Sequence, residues 1–139
     1  MELKFDKTTG LLPAIVQEAG TGKVLMLGFM NAESFEKTLA TGNVTFFSRS
    51  RNKLWVKGES SGHVLKVSDI RVDCDSDAVL VVAEQFGPGT CHEGYHSCFF
   101  RRVEDGKLVI AEPRAFDPER VYGDSAKSSS TVPANKAHE

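Results

Sequence analysis

From Asn43 onward the apolar residues leave helical spacing and fall into short runs separated by glycine, serine and asparagine turns. No other feature limits the fold as much, because a period near 2 belongs to strands and one of 3.6 to helices. Strand character is expected at residues 44–48 and 54–57, around Val64, Val67 and 70–72, and most strongly at 78–83. Residues 97–103 and 108–110 are expected to form a last hairpin about Glu104-Asp-Gly106. Upstream, residues 12–17 and 24–30 read as two strands joined by a glycine-rich turn. Asn31 can cap a helix running to about Ala40, with Glu33 and Glu36 near its positive end. Phe35 and Leu39 lie four apart on one face, and Gly42 can terminate it. A second short helix is expected near 118–122. The expected class is therefore mainly β with α+β character, with one clear helix in the N-terminal third.

The length of 139 residues suits one domain, expected over residues 1–123. Residues 124–139 are mostly Ser, Lys, Ala, Thr, Asn and Pro with almost nothing to bury, so they are expected to form a disordered polar tail. The net charge of −2 gives no global pull toward nucleic acid or anionic membrane, so any phosphate must be gripped by a local cluster. The N-terminus lacks a basic stretch followed by an apolar run, and no apolar run is long enough to span a bilayer. A cytoplasmic location is expected. In that compartment the three cysteines are not a disulfide framework. They are free thiols, core fillers or metal ligands.

Cys91 and Cys98 close the segment Cys91-His-Glu-Gly-Tyr-His-Ser-Cys98, and Cys74 lies seventeen residues upstream of Cys91. Structural zinc sites bring ligands in closer pairs than this, so spacing alone favours thiols that fill a core. Their company points the other way. Cys91 and His92 follow a Gly-Pro-Gly turn, where polar side chains tend to be exposed, and His96 lies in the same segment. Three thiolates would leave the fourth tetrahedral position on zinc open for water, as in catalytic rather than structural sites. A nearby histidine has the pKa range to move protons. Closure of the site by His92 or His96 as fourth ligand is equally compatible with the spacing.

Asp73, Asp75 and Asp77 alternate with Cys74 and Ser76. In an extended strand they would share one face at about 6.6 Å intervals, repelling one another unless a cation intervenes, and hard oxygen donors suit Mg²⁺. Cys74 would then point the opposite way, toward a different site. An EF-hand loop is excluded because Ala78 stands where glycine is needed and the following Val-Leu-Val-Val is strand-forming. A solvated acidic turn is the plain alternative. Ser48, Arg49, Ser50, Arg51, Lys53, Trp55 and Lys57 concentrate cations and hydroxyls that suit phosphate, with an indole able to stack on a base. A solvated basic strand, or a groove for single-stranded nucleic acid, has the same composition.

Taken together, Ser48-Arg-Ser-Arg-Asn-Lys-Leu-Trp55, Lys57-Gly-Glu-Ser-Ser-Gly-His63, Val72-Asp-Cys-Asp-Ser-Asp77 and Cys91-His-Glu-Gly-Tyr-His-Ser-Cys-Phe-Phe-Arg101 resemble the phosphoribosyl-AMP cyclohydrolase family of histidine biosynthesis. The resemblance runs from about Gly22 to Arg101, and four motifs in this order are much more specific than any one. It implies a β-rich interwoven homodimer with zinc ligands shared between subunits, Cys74 from one and Cys91 and Cys98 from the other, one zinc per active site. It implies Mg²⁺ at Asp73, Asp75 and Asp77, His92 as the acid/base residue, and opening of the adenine ring at N1–C6. The substrate's two phosphoribosyl groups give Arg49, Arg51 and Lys53 a purpose. Leu65 departs from the glutamine of many relatives and His96 from a frequent arginine. Some relatives carry a C-terminal pyrophosphohydrolase domain; with only a polar tail here, a monofunctional enzyme is expected.

Two rival readings differ in what they require. A zinc nucleoside deaminase needs His-x-Glu and Pro-Cys-x-x-Cys, and both are missing. A zinc-stabilised nucleic-acid-binding module would use residues 49–57 and bind oligonucleotides with steep salt dependence. The mildly acidic whole favours a compact nucleotide over a polymer, and no membrane partner is expected.

Overall fold

The computed structural model describes residues 2–120. Strand β1 (Leu12–Glu18) and β2 (Val24–Met30) form the expected hairpin, followed by helix α1 (Ala32–Thr41). Then come β3 (Thr45–Ser48), β4 (Lys53–Val56), β5 (Leu65–Val72), β6 (Val79–Gln85), β7 (Arg101–Glu104) and β8 (Lys107–Ile110). The fold is mainly β, as expected. The call of a short helix at 118–122 falls partly outside the described residues, of which 118–120 are helical, and the expected tail at 124–139 lies wholly outside them.

Four strands make one sheet in the order β2-β1-β6-β5. β1 pairs antiparallel with β2 and parallel with β6, and β5 returns antiparallel along β6. Side chains of a strand alternate between faces, so the register Ala14↔Val79 and Val16↔Val81 stacks the buried residues of both central strands on one face. Leu12, Leu25, Met26, Met30, Val44, Phe46 and Leu65 complete that core. Gly28 lets β3 approach β2, since a Cβ there would lie 2.6 Å from the Phe46 ring.

Helix α1 begins where local chemistry places it. Asn31 Oδ1 accepts the Ser34 amide at 2.8 Å, Ser34 Oγ accepts the Asn31 amide at 2.9 Å, and Gly42 closes the other end in the left-handed region at φ 76°. Phe35 is buried against the sheet, whereas Leu39 is half exposed: the inward face continues instead through Thr38, whose hydroxyl bonds the Ser34 carbonyl and receives the Thr45 amide. Among the described residues no helix is long and apolar enough to cross a membrane.

Two local expectations need correction. Residues 73–77 are not extended but form the turn between β5 and β6. Asp73 Oδ1 accepts the amides of Asp77 and Ala78 at 3.0 and 3.1 Å, and Ser76 sits at φ 64°. A short aspartate that captures backbone amides competes with the sheet ladder and turns the chain. The last hairpin starts at Arg101 rather than 97, because Ser97 and Cys98 are tethered to the backbone of β2.

Candidate active site

The segment after β6 is built by backbone geometry. Thr90 and Cys91 donate to the carbonyls of His96 and Tyr95, each at 3.0 Å, and Gly94 donates back to Cys91 at 3.0 Å. Residues 90–96 thus close into a compact loop. Cys98 N–H donates to Leu25 O at 2.8 Å and Ser97 Oγ to Val24 O at 2.7 Å, which pins the end of the loop to β2. The stacked rings of Tyr95 and Phe100, 3.6 Å apart, wall its inner side.

This arrangement brings the Cys91 and Cys98 thiols into hydrogen-bond contact. The bond from Cys98 holds the Cys91 thiol down to about 7, against the upward push of burial. The same bond, with burial, pushes Cys98 far up. Two thiols this close, one of them readily ionised, can give up their protons to a soft cation.

Lys57, at the end of β4, is 5 % exposed and lies within electrostatic reach of both thiols. Burial lowers its pKa more strongly than the thiols raise it. His92 follows Cys91 with its Nε2 3.9 Å from Glu93 Oε2. His96 turns away from the thiols to place Nε2 3.1 Å from Glu18 Oε1 on β1. His63 Nδ1 lies 3.1 Å from the Gly89 carbonyl, with its ring edge-on to Phe116. A Cβ at Gly87 would meet that ring at 2.5 Å, so His63 braces the Gly87-Pro-Gly89 turn leading to Cys91.

The three aspartates do converge, with one oxygen from each mutually within 4.8 Å. Burial works to raise the Asp73 carboxyl but is outweighed by the amides of Ala78 and Asp77, so it titrates below the ordinary carboxylate value. Asp77 is pushed up, first by its hydrogen bond with Asp75, then by desolvation and by the neighbouring charges. A divalent cation fits this set, since it would replace the shared protons and remove the repulsion. Among the described residues this is the one group of three or more potential ligands that meets in space. Cys74 is exposed and joins neither the carboxylates nor the thiol pair, and among the described residues no histidine completes the pair.

The basic segment divides. Arg49, Ser50, Arg51 and Lys53 are exposed, with the Arg49 guanidinium 4.1 Å from the Phe29 ring centroid. Ser48 is buried, and its hydroxyl accepts the Arg51 amide and contacts Ser50. Trp55 packs on Phe46, with ring centroids 5.1 Å apart, so its indole is partly committed to the core. Of the departures from the family pattern, Leu65 is wholly buried in the core and His96 pairs with Glu18. Sequence reasoning missed His63 as part of the site and grouped Lys57 with the exposed cations, although it is buried. Both lie in the Lys57-Gly-Glu-Ser-Ser-Gly-His63 motif, but nothing local marks the burial of Lys57 or the contact of His63 with the Gly87–Gly89 turn.

A β-rich scaffold that gathers two thiols and a histidine in one loop, and carboxylates in one turn, has donors of the kind a metal-dependent hydrolase uses. The phosphoribosyl-AMP cyclohydrolase family model matches residues 26–100. The chain is 57% identical over 123 residues to the phosphoribosyl-AMP cyclohydrolase of Solibacter usitatus (strain Ellin6076), covering 88% of this chain and 98% of that protein. It is 57% identical over 122 residues to that of Desulfatibacillum aliphaticivorans, with coverage of 88% and 98%. To that of Nitratidesulfovibrio vulgaris (strain DP4) it is 54% identical over 118 residues, with coverage of 85% and 94%. The chain belongs to the phosphoribosyl-AMP cyclohydrolase family and is an enzyme.

Proposed function

We propose that this chain hydrolyses phosphoribosyl-AMP, breaking the N1–C6 bond of its adenine ring to give the formimino-imidazole-carboxamide ribotide, the third step of histidine biosynthesis. Identity above one half over nearly the whole length of relatives bearing that name is the observation that carries the reading.

Cys91 and Cys98 would hold zinc with Cys74 of a second subunit as third ligand. The adjacent thiols, one of them ionising at about 7, suit such an ion, and within one chain they lack a third ligand among the described residues. Zinc so held would supply the Lewis acidity that makes water nucleophilic near neutral pH. His92 moves the proton from the attacking water to the departing ring nitrogen. Arg49, Ser50, Arg51 and Lys53 lie exposed and can grip the phosphates, with Ser48 ordering their turn. Asp73, Asp75 and Asp77 would hold Mg²⁺, which would add positive charge for the same purpose.

A homodimer would bring Cys74 to its partners. The exposed apolar side chains of the β7–β8 hairpin support it, with Val103 72% and Leu108 61% exposed, together with Phe99 beside it. A second copy of the chain would remove this surface from water. The test is a spectrophotometric assay on phosphoribosyl-AMP with zinc stripped and restored. Turnover should vanish and return with the metal; full turnover without zinc contradicts the scheme.

A further inference from the structure

Residues 111–117 follow β8 without regular secondary structure and are mostly exposed, yet they run back over the cysteine loop. The Ala111 amide donates to the Phe100 carbonyl at 2.7 Å, and Glu112 pairs with Lys23 just ahead of β2. The amides of Ala115 and Phe116 both donate to the Gly94 carbonyl, at 2.6 and 3.1 Å. A Cβ at Gly94 would collide with the Phe116 carbonyl oxygen, so the two backbones are in close contact. The Phe116 ring stands edge-on to His63 with centroids 4.8 Å apart, and a Cβ at Gly89 would lie 3.0 Å from its Cε1. Gly94 is thereby held on both sides. Its own amide donates to Cys91 O at 3.0 Å, which closes residues 91–94 into a turn with His92 and Glu93 at the centre.

We infer that residues 111–117 are a strap that fixes the Cys91–Gly94 turn, and that Phe116 is the positioning residue through which the strap holds His92 in place. The inference rests on the reading of His92 as the acid/base residue. One backbone hydrogen bond contributes only about 1 kcal/mol, so the turn alone is a weak support for a group that must meet a reacting atom closely. The strap adds two bonds to the same peptide. Within it Phe116 is the one apolar side chain withdrawn from water, so the path of the strap depends on where that ring sits. The strap also lies beyond residues 26–100, the stretch that carries the family pattern. Support for the loop thus comes from a part of the chain outside its four motifs.

The test compares Phe116→Ala in two backgrounds, with the full-length protein assayed on phosphoribosyl-AMP. In the wild-type background it should lower kcat about 10- to 100-fold with KM little changed, the scale that misplacing a reacting group by about 1 Å reaches. In the His92→Ala background the same change should cost less than about 2-fold, because the group being positioned is already gone. Phe116→Tyr keeps the ring and should recover most of the turnover. Hydrogen exchange read by mass spectrometry should quicken over residues 90–96 and stay slow in β1 and β6. If the alanine variant does not fold, Phe116→Leu takes its place. An equal loss in both backgrounds, wild-type turnover without the ring, or faster exchange throughout the sheet overturns the inference. Full turnover by His92→Ala alone would instead overturn the acid/base reading, and this inference with it.

Discussion

The acidic turn and the cysteine loop are both candidate cation sites, and they are built in opposite ways. In the turn, Asp73 organises its own neighbours through hydrogen bonds to residues four and five ahead, and three carboxylates meet at the surface within one chain. In the loop, the segment carrying the two thiols is pinned to β2 through Ser97 and Cys98, and the Cys91 side chain is buried. Water screens the charges of the turn, so a weak, exchangeable ion is its natural occupant. The loop has little water to rely on, so its ligands must be supplied by the protein. A local site can be complete in one subunit, whereas the proposed zinc site would draw only two of its three thiolates from one chain.

The sharpest way to break this contrast is to remove a thiol. Cys98→Ala or Cys91→Ser should abolish turnover and zinc uptake while Mg²⁺ binding at the turn, followed by calorimetry, persists. His92→Ala should cost about 10²- to 10⁴-fold in kcat, the usual range for losing a general acid or base, with zinc content unchanged. If that variant lost its zinc as well, His92 would belong among the ligands. Asp75→Asn should raise the Mg²⁺ concentration needed for half-maximal activity and spare zinc, and it should change stability by no more than about 0.5 kcal/mol because the turn is exposed. The smallest effect is spectroscopic. A thiol with a lowered pKa is protonated below that value and ionised above it, so thiolate absorbance of the metal-free Cys74→Ser protein should rise through about pH 7 as Cys91 deprotonates, while Cys98 stays silent. Two equal steps near the ordinary thiol value of 9.0 would mean that the two thiols do not interact.

The same contrast governs what could be read from the chain. The helix cap at Asn31, the stop at Gly42 and the Asp-Gly turn before β8 were legible because each is set by residues within four positions. The convergence of the aspartates was legible too, though for the wrong reason: strand alternation was expected, and side-chain capture of amides by Asp73 is what occurs. The parallel pairing of β1 with β6 left no local signal, since it joins segments more than sixty residues apart. Lys57 was hidden by its neighbours. It closes a run of cations of which Arg49, Arg51 and Lys53 are exposed, and only tertiary packing singles it out. Leu39 reads as inward by spacing, yet Thr38 takes the inner face because its hydroxyl bonds the start of β3.

The central claim is that the cysteine site is completed across subunits, and mixing inactive variants tests it directly. Cys74→Ser and Cys98→Ala homodimers should each be inactive. After co-refolding, random reassortment in a two-fold dimer makes half of the dimers mixed, each with one intact site, so about a quarter of wild-type activity and zinc content should return. No recovery from a mixture shown to contain mixed dimers would contradict a shared site.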